Sequence, residues 1–384
     1  MAFDLKYYAD VFATIDSIYR QELNRPADLG GLVNWFYHVR ENGRDADWLR
    51  AEIRKSDEWH AIHDKPQPQS LPRLVPTGSV FRLENGVRFT AIECSDFNLF
   101  GRYLVEGEDV VREVMKERAA HGFNTLRVWL AYSGDAQFEA EIGRLVPSEH
   151  PGMYSRIPEF AALASAYGLY VEFTAFTGGA IPRHWEQIGT ALEGVTNVIV
   201  ELTNENNTHT PNIDSAAYRP IPGVVCSHGS NGARSAPVRP PWGYEVYHTN
   251  DISEWWRQGS HNGMEFSQGD AEGQIVPSHA PVIENEKTRP DRDANPNHHE
   301  DSAAAAALLI AGSCYHSQSG KRSDLFDARD RAFAEVFVRG AKSVDLACQE
   351  GSYRHAMELE GPNDLRVYQK VYGDGRRYTV TIRK

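Results

Sequence analysis

No run of residues in this sequence is apolar for long enough to cross a bilayer, and its start, MAFDLKYYAD, has neither the basic nor the apolar segment of a secretory signal. A soluble protein is expected. Its location is open: export would need a route without a cleaved signal, or release with a virion, and a cytoplasmic protein is the expectation otherwise. Cysteine is scarce. Cys94, Cys226, Cys314 and Cys348 are widely spaced and form no Cys-x-x-Cys pair. That argues against a disulfide framework or a zinc signature and predicts buried thiols. Positive charge is also short: 40 Lys and Arg face 53 Asp and Glu, for a formal net charge of −13. An acidic surface repels phosphate backbones, so nucleic acid is not an expected partner. No glycine-rich phosphate loop follows the first apolar strand, which argues against a doubly wound nucleotide-binding sheet. No cofactor and no metal are expected.

What is present is ordinary globular material: 41% hydrophobic and 24% charged residues, enough for one large core with small additions. The 8 Trp and 17 Tyr suit either core packing or stacking on sugar rings, and composition does not choose between them.

Periodicity divides the chain. Residues 1–63 read as a helical bundle. Tyr7, Tyr8, Val11, Phe12, Ile15, Ile18 and Tyr19 recur at helical spacing, and Asn24-Arg25-Pro26 breaks the pattern. Asp28 then caps a second helix carrying Leu32, Trp35, Phe36 and Val39, which Asn42-Gly43 ends. A third helix is expected through Trp48, Ile53 and Trp59. Residues 64–79 hold four prolines and little periodicity, as a linker would. From residue 80 to 349, short apolar runs alternate with helical stretches. The runs begin near residues 89, 125, 170, 198, 223, 244, 281 and 310. Eight strands with interposed helices predict a (β/α)8 barrel of the α/β class. The tail, residues 350–384, has two alternating runs about Gly373-Asp374-Gly375 and reads as a β-hairpin.

Active residues of such barrels sit at the C-terminal ends of strands. Two strands there end in acid. VIVELTNEN, residues 198–206, ends in Asn204-Glu205, and APVIENEKTRP, residues 280–290, carries Glu284 and Glu286. A carboxyl group at a strand end can protonate a leaving oxygen or attack a carbon, and an adjacent Asn can hydrogen-bond a sugar hydroxyl. The plainer reading of each is a helix cap or a surface ion pair. Glu286 lies further toward its strand's end, with Glu284 as its rival at the same parity.

These two motifs resemble those of the large (β/α)8 clan of retaining glycoside hydrolases, typified by the cellulase-like family 5. VIVELTNEN is similar to the fourth-strand motif, whose final Glu is the acid/base. PVIENE is similar to the seventh-strand motif, whose Glu is the nucleophile. The resemblance implies further roles. Arg127 in NTLRVWL matches the second-strand Arg beside the nucleophile, with Trp129 near it. Tyr247 and His248 match the sixth-strand pair that orients the nucleophile. Tyr315 or His316 in GSCYHSQSG takes the place of the eighth-strand aromatic that floors the sugar site. Two features depart from the pattern: Asn206 stands where Pro often follows the Asn-Glu pair, and VEFTAFTGG lacks the third-strand His of many cellulases. The implied substrate is a poly- or oligosaccharide, its identity open.

IYRQELNRPADLGGLVNWFYHV and IRKSDEW resemble a small helical domain of unknown function recurrent in bacterial surface and extracellular proteins. That implies tethering or presentation through residues 1–63. A helical cap packed on the neighbouring domain is the alternative. For the whole chain, a non-catalytic glycan-binding barrel and a structural component of a surface or virion assembly compete with the hydrolase. His298-His299-Glu300-Asp301 reads as a solvated loop opening a helix, not a metal site. Asp291-Arg292-Asp293 reads as loop, and Trp255 and Trp256 as core residues.

Overall fold

The structure, a computed structural model, describes residues 5–23, 25–63, 66–132, 139–140, 142–204, 213–214, 217–229, 242–247, 274–275, 280–288, 290, 294–317, 323–344, 353–359, 365–372 and 374–383. The chain forms two compact units, Met1–Gln67 and Pro68–Lys384.

The first unit has four helices: α1 (Leu5–Leu23), α2 (Leu29–Glu41), α3 (Ala46–Ile53) and α4 (Asp57–His63). Ile15, Ile18, Tyr19 and Leu23 line one face of α1 and bury against Leu49 and Ile53 of α3. Asp28 caps α2 as expected, accepting from the Gly31 N–H at 2.7 Å. The third expected helix is two. The Ser56 hydroxyl donates to Ile53 O at 2.6 Å and accepts from the Trp59 N–H at 3.2 Å, which turns the chain and caps α4.

The second unit opens with a three-stranded antiparallel sheet, β1 (Leu74–Thr77), β2 (Val80–Leu83) and β3 (Arg88–Phe89). The linker expected over 64–79 therefore ends early. Residues 69–77 are fastened to the second unit: Gln69 N–H donates to Ser165 Oγ, and the carbonyls of Leu71 and Pro72 accept from Thr196 and Tyr170. Proline density alone could not distinguish a free spacer from an extended segment held by neighbours.

The barrel strands are β4 (Ala91–Ser95), β5 (Thr125–Trp129), β6 (Tyr170–Phe176), β7 (Val198–Thr203), β8 (Val225–Ser227), β9 (Glu245–Tyr247), β11 (Val282–Thr288) and β12 (Gly312–Tyr315); β10 (Gln274–Ile275) lies apart from them. Their order is β8-β7-β6-β5-β4-β12-β11-β9, and every adjacent pair is parallel. Each strand but β9 neighbours its predecessor among the barrel strands, and the last, β12, lies beside the first, β4, the order of a (β/α)8 barrel; β8 and β9 are the two ends of that order. Between β8 and β9 the Gly243 N–H donates to Cys226 O at 2.8 Å. Described helices flanking the strands are α5 (Leu99–Val105), α6 (Glu108–His121), α7 (Met153–Ser165), α8 (His184–Ala191), α9 (Pro296–Leu309) and α10 (Ala328–Lys342). α6 runs from Glu108 to His121, with Gly122 at φ 95° closing the helix in the left-handed conformation open to glycine. His298-His299-Glu300-Asp301 lies within α9, not in a loop, and His299 is buried edge-on against Phe333. Asp291–Asp293 and Trp255-Trp256 lie outside the described residues.

Alternation along the strands sorts the core into two layers. Leu126, Val128, Val171, Phe173, Val198, Val200 and Leu202 face the helices. A second cluster closes the N-terminal end of the lumen: Leu74, Phe81 and Phe89 of the small sheet pack with Tyr170, Ile199, Tyr244, Val246 and Ile283. Gly312, at φ 146°, meets the Ala91 backbone so closely that a side chain there would collide with it. Cys94, Cys226 and Cys314 are buried free thiols, as expected; Cys348 lies outside the described residues.

The tail hairpin is present as β14 (Leu365–Tyr372) and β15 (Arg377–Arg383), paired from Leu365↔Arg383 to Val371↔Arg377. It belongs to a larger antiparallel sheet, β10-β13-β14-β15, with β13 at Tyr353–Leu359. β10 comes from within the segment expected to be all barrel.

Candidate active site

The middle of three barrel strands carries a lone charged residue among apolar ones: Glu93 in AIECS, Glu172 in YVEFTAF and Glu201 in VIVELT. A fourth strand carries Arg127 in TLRVW. The pleat turns all four into the lumen, and all four side chains are fully buried. Arg127 Nη2 donates to Glu201 Oε2 at 2.7 Å and to Asn204 Oδ1 at 2.7 Å. Its Nε lies 3.8 Å from Glu172 Oε2. Glu201 also accepts from the Thr174 hydroxyl at 2.7 Å, and Glu172 from the Tyr244 hydroxyl at 2.6 Å.

Burial dominates the electrostatics. It pushes Glu172 up, as does the Glu201 charge, while Arg127 and the Tyr244 hydroxyl oppose both. Burial drives the Tyr244 phenol well above its ordinary range, with the Glu172 charge next in importance, so it remains a donor.

Asn204 ends β7. Its N–H donates to Phe176 O at 2.9 Å, and its side-chain carbonyl is taken by Arg127. That turns the amide NH2 end away from the guanidinium. Gly229, at φ 94° just beyond β8, abuts the Thr203 backbone too tightly for any side chain. Over the C-terminal end of the lumen lies an aromatic layer. Phe97 stacks on Trp129 with centroids 4.3 Å apart, His316 meets Phe97 edge-on at 5.0 Å, and the Arg127 guanidinium lies 5.5 Å from the Phe97 ring.

Of the residues singled out from sequence, Arg127, Asn204, Trp129 and His316 thus converge on this end of the barrel. Tyr315 does not. Its register partner is Cys94, on the helix-facing side, and its hydroxyl donates to Asp330 Oδ1 of α10 at 2.8 Å among Phe123, Phe326 and Phe337. It is a core residue, whereas His316 lies against Phe97. Glu284 is also turned away. It pairs with Ser313, which pairs with Ile92 of the outer layer, so it faces the helices and is buried there. Between Glu284↔Ser313 and Thr288↔Tyr315 the pairing of β11 with β12 is irregular. Glu286 lies on β11 and Tyr247 on β9, but their side chains, like the whole of Glu205 and His248, lie outside the described residues.

Sequence reading missed Glu93, Glu172, Glu201 and Phe97. The signal was there for the acids: a single charge inside an otherwise apolar strand is a buried ionisable group, and such groups collect where a fold does its work. A groove of about 660 Å3 beside α8, lined by Trp185, Tyr218, Pro220, Ile221 and Arg183 among others, includes none of the lumen residues. Among the described residues, no group of three or more His, Cys, Asp or Glu is arranged to hold a metal ion, and no helix is long and apolar enough to cross a membrane.

The fold is that of a (β/α)8 barrel, and solved structures share it. A protein of Bacteroides vulgatus ATCC 8482, provisionally classed as a glycoside hydrolase, aligns with a TM-score of 0.51 at 11% identity, covering 78% of this chain and 67% of that one. A β-1,4-D-mannanase from Cryptopygus antarcticus aligns at 0.47 and 10% identity, covering 70% and 94%. No family model and no curated protein sequence matches the chain. At 11% identity the first of these likenesses establishes the barrel and its connectivity.

Proposed function

We propose that the barrel is a retaining glycoside hydrolase acting on a poly- or oligosaccharide, with Glu205 as acid/base and Glu286 as nucleophile. The observation that carries this reading is Asn204. It stands at the end of the fourth barrel strand, directly before Glu205, with its carbonyl held by the buried Arg127. In this reading the Asn204 amide bonds a sugar 2-hydroxyl, a contact that strengthens as the ring acquires oxocarbenium character. The aromatic layer of Phe97, Trp129 and His316 suits the floor of a sugar site. The class named for the Bacteroides structure agrees with the reading.

In the first step the Glu286 carboxylate attacks the anomeric carbon and forms a glycosyl ester, while Glu205 gives its proton to the leaving oxygen. In the second, Glu205 takes a proton from water, and the resulting hydroxide displaces Glu286. The mechanism requires the two carboxyl groups about 5–5.5 Å apart. A polysaccharide panel with product analysis identifies the sugar and the mode of cleavage. Glu286→Gln is expected to abolish hydrolysis with the thermal transition retained. Glu205→Gln is expected to lower turnover by about 10²–10⁴-fold. Undiminished turnover in Glu286→Gln sinks the assignment, and binding without hydrolysis in the native chain makes the barrel a glycan-binding module.

For the first unit we propose an attachment role. In its support, Leu29, Val33 and Tyr37 recur every four residues along α2 and are 59–77% exposed, an apolar stripe with no function in the unit's own core. Removing residues 1–67 is expected to leave turnover of a small reporter glycoside intact and to reduce retention on the producing cell or particle.

A further inference from the structure

We propose that Glu93 is the proton-bearing member of a sealed cluster with Glu172, Glu201 and Arg127, and that its proton keeps Arg127 seated on Glu201 and Asn204. The inference rests on the fold and the lumen, not on the hydrolase reading.

The cluster's geometry is unequal. Glu172 receives a hydroxyl hydrogen bond from Tyr244, and Glu201 receives one from Thr174 and one from Arg127. Among the described residues, neither oxygen of Glu93 receives a hydrogen bond from a donor, and its side chain is completely buried. Donors stabilise a carboxylate and dry surroundings penalise it, so a proton shared by the three acids settles on the one without donors. Charge count points the same way. Three ionised carboxylates around one guanidinium would leave two negative charges uncompensated inside the barrel; a protonated Glu93 leaves one, spread over hydrogen-bonded oxygens.

Among the described residues, the groups that face Glu93 are Arg127 from β5, Glu172 from β6, Glu201 from β7, Tyr244 just before β9, and Cys314, its register partner on β12; of these Arg127 is the cation. Burial holds both the Cys314 thiol and the Tyr244 phenol well above their ordinary values, which keeps them neutral. Burial pushes Glu93 well above the usual carboxylate range, and the Glu172 charge is the next cause; Arg127 opposes them without cancelling them. The protonated Glu93 then donates to Glu172, which in turn lowers Glu172. Ionisation of Glu93 would add a third anion, beside Glu172 and Glu201, within reach of the guanidinium and draw it from the Glu201–Asn204 end.

The sign of the pH dependence follows. Glu93 binds its proton more tightly folded than unfolded, so its contribution to stability is complete below the ordinary carboxylate range and is lost as pH rises toward the folded value. The test compares thermal unfolding of the full chain, Glu93→Gln and Glu172→Gln between pH 4 and 9. Glutamine mimics the neutral acid. Glu93→Gln is expected to match the native protein near pH 4 and to exceed it increasingly above, by on the order of 2 °C per pH unit. Glu172→Gln removes the nearest like charge and is expected to flatten the dependence. Parallel curves for the native chain and Glu93→Gln overturn the proposal. A second readout needs no variant to be stable: the infrared carbonyl stretch of a protonated carboxyl, expected in the native protein at pH 8. Its absence there also overturns the proposal. For the positioning of Arg127, its guanidinium NMR signal is expected to move with alkaline pH in the native chain and to stay fixed in Glu93→Gln. Equal movement in both removes the link. None of these measurements involves turnover, so their failure is separable from failure of the hydrolase assignment.

Discussion

At the N-terminal end of the barrel, Leu74, Phe81, Phe89, Tyr170 and Ile199 fill the lumen with apolar side chains. Two residues beyond Tyr170 and Ile199 on their strands stand Glu172 and Glu201, which with Glu93 and Arg127 fill the lumen with charge, as deeply buried as the apolar plug. One end excludes water and gains free energy with each methylene buried, at about 25 cal/mol per Å2. The other end takes ions out of water, which an isolated charge could not sustain, and recovers the penalty only through fitted partners. The strands are the same; the difference is the purpose of the surface above. A barrel needs a sealed base for stability and an oriented polar face for chemistry.

That contrast can be broken by removing one side chain from each end. Arg127→Met has the largest expected effect. It strands Glu201 and Glu172 without their cation and releases Asn204, so unfolding free energy should fall by about 3–5 kcal/mol in a denaturant titration, with turnover lost. Phe81→Ala, in the plug, is expected to cost about 3 kcal/mol through cavity formation. Turnover per folded molecule should be unchanged, because no lumen ion pair is touched. Equal losses of turnover in the two variants would erase the distinction. The smallest effect is expected in the first unit, where Arg25 grips Glu58 through two hydrogen bonds of 2.6 and 2.8 Å at an exposed site. Glu58→Gln should cost less than about 1 kcal/mol, since solvent screens an exposed pair. The same kind of pair therefore spans the whole range of effects, set by burial alone.

The candidate site was partly legible. A strand ending in Asn-Glu announced Asn204, and Arg127 stood out as a lone cation in an apolar strand. Glu201 carried the same signal three residues before Asn204 and was read only as part of a motif. Tyr315 and Glu284 misled because a linear pattern gives spacing but not which side of the sheet a residue takes. His316, the other residue named for that place, lies one position on and meets Phe97.

Local pattern by itself determined the eight strands, the cap of α2 and the tail hairpin. These follow from periodicity and turn chemistry, which act over a few residues. Only the tertiary structure decided that residues 69–77 belong to the barrel unit rather than to a linker, that β10 joins the tail sheet, and that three glutamates from three strands share one arginine. Each of those depends on residues far apart in sequence meeting in a dry interior. There, partners decide charge, and the register of neighbouring strands decides which side chains become partners.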